Sequence, residues 1–285
     1  MIPIRVIRRR IRSIQSTAKI TKAMEMIAAS KMKRSQLRVL AARPYAEKIK
    51  EVLVGLAAQS QSGEELHPLL QSREVNRVAI IHITPDRGLC GGLNASINRM
   101  VARFILEQDA SVSMITVGKK GRDFMARYGQ DIRAEFFAVG DQACLADTTP
   151  ISRIVIEDYE SGLIDRVYLA YTQFVTTMNQ QPVFHELLPI QPADMKSSEN
   201  VEYIYEPSST VVLSQLLPRY IEMQVYHAIL ESIASEQSAR MVAMRSATEN
   251  ANEMIEDLTL TYNKARQEMI TTELLDIAGG VVVLE

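Results

Sequence analysis

Two long stretches without glycine or proline, one toward each end of the chain, restrict the fold more than any other feature. Residues 4–43 contain neither residue, and nor do residues 219–278. In the first stretch, apolar residues recur at Ile4, Ile7, Ile11, Ile14 and Ala18. Steps of three and four place them on one stripe of a helix. Pro3 stands where a helix start tolerates a missing N–H. Pro44 is expected to kink or interrupt this helix, with helical composition resuming to about Gly55. In the second stretch a 3-4 register runs Leu230, Ala234, Gln237, Met241, Met244, Thr248, Ala251, Ile255, Leu258, Tyr262, Ala265, Met269, Thr272. A sustained seven-residue repeat drifts against the natural 3.6-residue turn and favours a left-handed supercoil. Small seam residues let helices approach closely but bury little area, so such a coil is only moderately stable by itself. Gly279-Gly280 is expected to end the helix.

Charge divides the same way. Residues 1–50 carry fourteen Lys/Arg against Glu25 and Glu47, while residues 199–285 carry fourteen Asp/Glu against five bases. The whole-chain charge of −2 hides this asymmetry and suggests neither a nucleic-acid nor a membrane partner. The opposite excesses favour pairing of the two terminal helices, although exposed ion pairs contribute only about 0–1 kcal/mol each. Cys90 and Cys144 lie too far apart to suggest a disulfide framework, which fits a reducing compartment. His67, His82, His185 and His227 show no metal-ligand spacing. Nothing approaches the roughly 18 apolar residues of a membrane span.

Between the helices the pattern changes to alternating strands and helices. RVAIIHIT at 77–84 is a nearly continuous apolar run, as expected of a strand buried on both faces. A glycine-rich turn follows, then Asn94 as the expected N-cap of a helix bearing Ile97, Met100, Val101 and Phe104. Strands are predicted at 112–117, 134–139, 166–174 and 183–190. Helices are predicted at 119–128 and from Thr149-Pro150 to Gly162. The predicted class is α/β: a long antiparallel coiled coil of N- and C-terminal helices with an inserted, Rossmann-like, mostly parallel domain covered on both faces. The expected divisions are 1–60, 75–195 and 208–285.

DRGLCGG at 86–92 sits where a phosphate-binding loop would sit, after a strand and before a helix. Gly88, Gly91 and Gly92 match neither G-x-G-x-x-G nor a P-loop, so a tight turn needing φ > 0 is the better reading. Cys90 has no base beside it and reads as a packing residue rather than a nucleophile. Glu157 and Asp158 are adjacent on a helix, point to different sides, and read as a solvated face rather than an acid/base pair. The basic run RVIRRRIR at 5–12 has no interleaved aromatic through residue 40, which argues against a stacking platform for nucleic acid. Met24, Met26 and Met32 read by default as helix-seam residues.

Three segments together resemble the gamma subunit family of F-type ATP synthases. They are IRSIQSTAKITKAMEMIAASKMKRSQ at 11–36, TPDRGLCGGLN at 84–94, and ESIASEQSARMVAMRSATENANEMIEDLTLTYNKARQEMIT at 231–271. Because the resemblance begins almost at residue 1, it argues against reading the basic N-terminus as a transit peptide. It implies a non-catalytic central rotary shaft that stands in a hexamer of alpha and beta subunits and couples proton-driven rotation to it. The further implied partners are the epsilon subunit and the c-subunit ring, with no cofactor and no nucleic acid. The implied location is peripheral, on the cytoplasmic face of the bacterial cell membrane. It nominates Met24 as facing the moving end of a beta subunit, and Arg266, Gln267, Thr271 and Glu273 as contacting loops of the hexamer. The sequence departs from the family at Glu268 and Met269, and in a tail, GGVVVLE, bulkier than the usual one. No chloroplast-type regulatory cysteine pair is evident. Two other readings are a nucleotide-binding α/β protein with coiled-coil dimerisation arms and a coiled-coil scaffold binding nucleic acid through its basic arm.

Overall fold

The computed structural model describes residues 3–59, 67–140, 143–191, 206 and 208–282. In chain order they form α1 (Ile4–Gln59), a short 3-10 turn (Pro68–Leu70), β1 (Arg77–Ile83), α2 (Leu93–Glu107), β2 (Ser111–Val117) and α3 (Lys119–Arg127). Then come β3 (Asp131–Phe136), α4 (Leu145–Glu160), β4 (Arg166–Phe174), β5 (Gln180–Leu188) and α5 (Ser209–Val282). The fold is the expected α/β insert between two long helices. The chain divides into two compact units, one of residues 1–28 with 241–285 and one of residues 29–240.

The larger unit is built on a five-stranded sheet of order β3-β2-β1-β4-β5. β1 pairs in parallel with β2 and β4, and β2 with β3. β1 is central, which is why its apolar run is buried from Val78 onward. β5 runs antiparallel to β4. Only the short turn at 175–179 separates the two strands, too little chain for a parallel crossover. One face of the sheet packs Val78, Ile80 and Met114 under Ile97 and Val101 of α2 and Met125 of α3. The other face packs Ala79, Ile81, Ile115 and Leu169 on Ile151, Val155 and Tyr159 of α4. That same core takes in Leu53 and Leu56 of α1 and Leu217 and Ile221 of α5.

Several boundaries differ from the sequence expectations. Pro44 does not interrupt α1, and Pro218 lies inside α5. Long helices anchored on both sides of a proline tolerate its lost hydrogen bond. α5 likewise continues through Gly279-Gly280 to Val282. Glycine lowers helix propensity by about 1 kcal/mol against alanine without forbidding the helix. α4 starts at Leu145 rather than Thr149 because the Asp147 carboxylate accepts a hydrogen bond from the Cys144 N–H at 2.9 Å. This is a capping arrangement with Cys in the place usually held by Ser or Thr. Asn94 is not an N-cap. Gly92 holds that position, and the Asn94 amide instead donates to the Cys90 sulfur at 3.3 Å. β3 begins at Asp131 and ends at Phe136, and β5 begins three residues earlier than expected.

The smaller unit is an antiparallel helix pair. Thr21 meets Thr248 through their hydroxyls at 2.7 Å, and Arg245 donates to Glu25 at 3.1 Å. As one number rises the other falls, and each pair sums to about 270. The predicted register holds as far as Ala265: Met241, Met244 and Ala251 are buried, and Thr248, Ile255, Leu258, Tyr262 and Ala265 are partly covered, whereas its last two positions, Met269 and Thr272, are exposed because no helix faces them. Ile7, Ala18 and Ala28 supply the facing side. Charge does not pair the helices as expected. Among the described residues the one cross-helix ion pair of this unit is Glu25–Arg245, with the acid on the basic helix and the base on the acidic one. Arg5, Arg8, Arg9 and Arg12 all face solvent, so seam packing rather than bulk charge aligns the pair.

Candidate functional site

The pairing register determines what the smaller unit offers to a partner. Ile4 comes opposite residue 265 or 266, so α5 beyond that point has no facing helix in this unit. Every residue from 266 to 275 is exposed. At about 1.5 Å per residue, 266–282 forms a free helical end roughly 25 Å long. Arg266, Gln267, Thr271 and Glu273 all stand on it. By helical phase Arg266 and Glu273 share one side, and Gln267 and Thr271 share another about 120° away. The Thr271 hydroxyl is turned back onto the Gln267 carbonyl at 2.9 Å. From residue 276 onward the side chains lie outside the described residues, and the sequence departure in the tail falls there.

Met24 belongs to a different station. It is half-buried on α1, level with residues 245 and 246 of α5, roughly 30 Å along the axis from Arg266. Met26 is not a seam residue, being 60% exposed. An open groove of about 950 Å³ runs beside this station, lined by Lys19, Lys22, Ala23 and Met26 on α1 and by Arg245, Glu249 and Asn252 on α5.

Sequence reasoning missed the polar layer below Met24. The Glu25 carboxylate is buried, with Lys22 Nζ at 3.0 Å and Arg245 Nε at 3.1 Å. The signal was present: Ala18, Thr21, Glu25 and Ala28 continue the 3-4 stripe through polar residues. The Lys22 hydrogen bond, opposed by desolvation and aided by Arg245, holds the Glu25 carboxyl below its ordinary value. A depressed carboxyl stabilises the fold above its unfolded value of 4.5, and that contribution is lost as pH falls through the folded value. Glu25→Gln is therefore expected to melt lower than the native chain at pH 7, with the difference vanishing on acidification. A melting gap unchanged by acid would contradict the layer's ionic character.

In the larger unit, the edge formed by the C-terminal ends of the parallel strands is filled by the chain itself. The Asp86 carboxylate accepts from the Lys119 N–H and the Ala138 N–H, each at 3.0 Å. It thereby occupies the start of α3, where an anion would bind. The DRGLCGG turn does use positive φ, at Gly91 and at Leu89 rather than at Gly88 or Gly92. Cys90 is buried against Leu93 and Ala239, and burial pushes its thiol pKa up. Arg240 donates to the Gly88 carbonyl at 3.2 Å. On the other side, Ser235 donates to the Thr172 carbonyl of β4 at 3.0 Å. β1 and β4 flank the point where strand order reverses, the crevice in which doubly wound folds hold ligands. Here α5 contacts both sides of it. Glu157 and Asp158 are separated: Glu157 pairs with Arg153 at 2.7 Å, and Asp158 with Arg133 of β3 at 3.3 Å. Asp158 is thus pinned rather than solvated. Among the described residues no group of His, Cys, Asp and Glu is placed to hold a metal, and no helix is long and apolar enough to cross a membrane.

Known proteins match this arrangement end to end. A family model described as ATP synthase matches residues 3–284. The ATP synthase gamma chain of a Dehalococcoides mccartyi strain is 62% identical, covering 100% of both chains. That of a Herpetosiphon aurantiacus strain is 51% identical, covering 98% of both. A chain in the central stalk and c-ring structure of Tetrahymena thermophila mitochondrial ATP synthase is 28% identical. It has a TM-score of 0.64, covering 80% of this chain and 99% of that one. A Euglena gracilis mitochondrial ATP synthase chain, 21% identical with a TM-score of 0.69, shares the fold over 99% of this chain and 94% of its own. The chain belongs to the ATP synthase gamma-chain family.

Proposed function

We propose that this chain is the central rotary shaft of a proton-translocating ATP synthase and performs no chemistry of its own. The observation that carries the non-catalytic reading is the filled crevice. α5 contacts both sides of the switch point, and Asp86 caps the α3 start, so the two places where an α/β fold would take a nucleotide are held by the chain. The partners are the alpha and beta subunits around the helix pair, and the epsilon subunit and c-ring at the insert. The complex holds the chain peripherally at the cytoplasmic face of a bacterial cell membrane.

A shaft works by differential interaction. A partner shifts a conformational equilibrium only by the difference in its affinity for the competing states. A helix pair without three-fold symmetry presents a different face to each of three beta subunits and favours a different state in each. Turning it passes those states around. The drive is the membrane potential, about 2.3 kcal/mol per charge per 100 mV, together with any proton gradient. Met24 is proposed to meet the mobile part of a beta subunit. Arg266, Gln267, Thr271 and Glu273 are proposed to meet hexamer loops on two sides of the free helical end.

Calorimetric titration of the isolated chain with Mg-ATP tests the non-catalytic part. The expected result is no heat of tight binding and no hydrolysis. Micromolar binding would favour the nucleotide-binding alternative.

A further inference from the structure

Rotation can pass between the insert and the hexamer only if the insert grips α5 against turning about its own axis. Apolar packing holds the helix in place but is non-directional, so it resists turning less sharply than an aimed hydrogen bond. From 232 to 241 no residue of α5 is exposed, so here the helix is enclosed rather than leaning on one side. Polar side chains lie within the enclosure: Ser232, Ser235, Gln237 and Ser238 are all buried.

Two of these hydroxyls donate to the sheet's last hairpin. Ser235 Oγ reaches the Thr172 carbonyl at 3.0 Å, and Ser238 Oγ reaches the Thr177 carbonyl at 2.8 Å. Thr172 lies near the end of β4, and the turn that Ser238 grips is braced from within. Gln180 Nε2 donates to the Thr177 carbonyl at 2.8 Å and to Ser238 Oγ at 3.4 Å, and the Asn179 N–H donates to the Thr176 carbonyl at 3.1 Å. The second grip comes from the loop after β1, through Arg240 to the Gly88 carbonyl and Ala239 against Cys90. That loop is tied to the neighbouring crossovers by Asp86. By helical phase, Ser235 and Ser238 face a direction about 120° from that of Ala239 and Arg240. Two directional attachments on different sides of an axis resist twist, where one attachment acts as a hinge.

We infer that the end of β4 with the turn after it, residues 172–180, and the 86–92 loop form a collar that locks α5 to the insert, and that Ser235 and Ser238 are its torque-bearing positions. The inference rests on the rotary reading. Their role is positioning, since both hydroxyls bond this chain's own backbone. Hydrogen bonds weaken steeply as they bend, so a hydroxyl aimed at a fixed carbonyl opposes helix rotation in a way that an alanine of similar size does not.

The test uses the assembled complex in sealed vesicles, reading protons pumped per ATP hydrolysed against an opposing gradient. The Ser235→Ala/Ser238→Ala chain is expected to hydrolyse ATP but to lose about three-fold in that ratio. Ile229→Val, a buried core change away from the collar, serves as the stability control. It is expected to lower the melting temperature with no change in the ratio. A rescue variant guards against a chain that assembles poorly. With Cys144 replaced by serine, Thr177→Cys/Ser238→Cys should show the lowered ratio when reduced and recover it when a short reagent joins the two thiols. A ratio unchanged in the double alanine variant, lowered equally by Ile229→Val, or not recovered on joining the thiols overturns the collar. A native complex that hydrolyses ATP without pumping overturns the rotary reading itself, and the two failures are told apart by that first control.

Discussion

Gly118→Ala is expected to destabilise the α/β insert by roughly 3–5 kcal/mol, summing a forbidden backbone and a steric overlap. Gly118 precedes α3 with φ 97° and ψ 147°, a region that L side chains rarely enter. Its N–H donates to the Phe136 carbonyl at 2.8 Å, so the residue cannot turn away without losing the link to β3. A Cβ there would overlap the Thr84 carbonyl. The neighbourhood has no slack. Gly121, one turn on, packs so closely that a Cβ would lie 2.8 Å from His82 Cε1, and its N–H donates to the Thr84 hydroxyl at 2.8 Å. His82 is fully enclosed, and burial lowers its pKa to about 3, so it stays neutral and cannot gain solvation by charging. Gly88→Ala is the matched comparison. Its added Cβ meets nothing within 4 Å and its φ is ordinary, so it is expected to be neutral or slightly stabilising. Chemical denaturation of both variants checks this. A Gly118→Ala cost no larger than that of Gly88→Ala would mean the crossover relaxes freely.

Ending the chain after Ala265 is expected to separate folding from coupling. The register puts Ile4 opposite residue 265 or 266, so this truncation removes the free helical end while sparing Thr21–Thr248 and Glu25–Arg245. The isolated chain should lose helical signal in proportion to the residues removed and otherwise melt as before. In the complex, the shaft keeps the Met24 station but loses both sides of the upper one. ATP-driven turnover is expected to fall a few-fold and gradient-driven synthesis about ten-fold, the rate effect of about 1.4 kcal/mol. That is less than one hot-spot residue contributes, about 2 kcal/mol or more, so the figure assumes most of the grip survives below. Synthesis at the native rate would show that Arg266, Gln267, Thr271 and Glu273 are ordinary solvent-facing residues.

Long periodic patterns were legible in the sequence, and fine cooperative geometry was not. The 3-4 register from Leu230 to Ala265 coincides with the covered face of α5, since burial periodicity follows directly from helix geometry. β1 was legible for a similar reason, because a strand buried on both faces reads as an unbroken apolar run. The start of α4 was not, because its cap depends on Asp147 reaching back to Cys144, and Cys is a poor cap signal. The glycine that most constrains the insert, Gly118, lies outside the DRGLCGG motif, and its importance appears only when β1 and β3 are brought beside it. The charge asymmetry misled: among the described residues of the smaller unit the one cross-helix ion pair depends on one register position, Glu25, and runs against the bulk excess. The candidate contact residues came from resemblance. The register added that four of them share a free helical end while Met24 stands well below.

Rotation of this chain inside its hexamer can be watched directly. Cys144 is exposed and Cys90 is buried, so a probe can be placed on the insert through the native thiol. With the alpha and beta hexamer immobilised and the probe followed under ATP, the expected result is rotation in one direction, with pauses at the hexamer's three-fold spacing. Sustained ATP turnover with a probe that never rotates would contradict it.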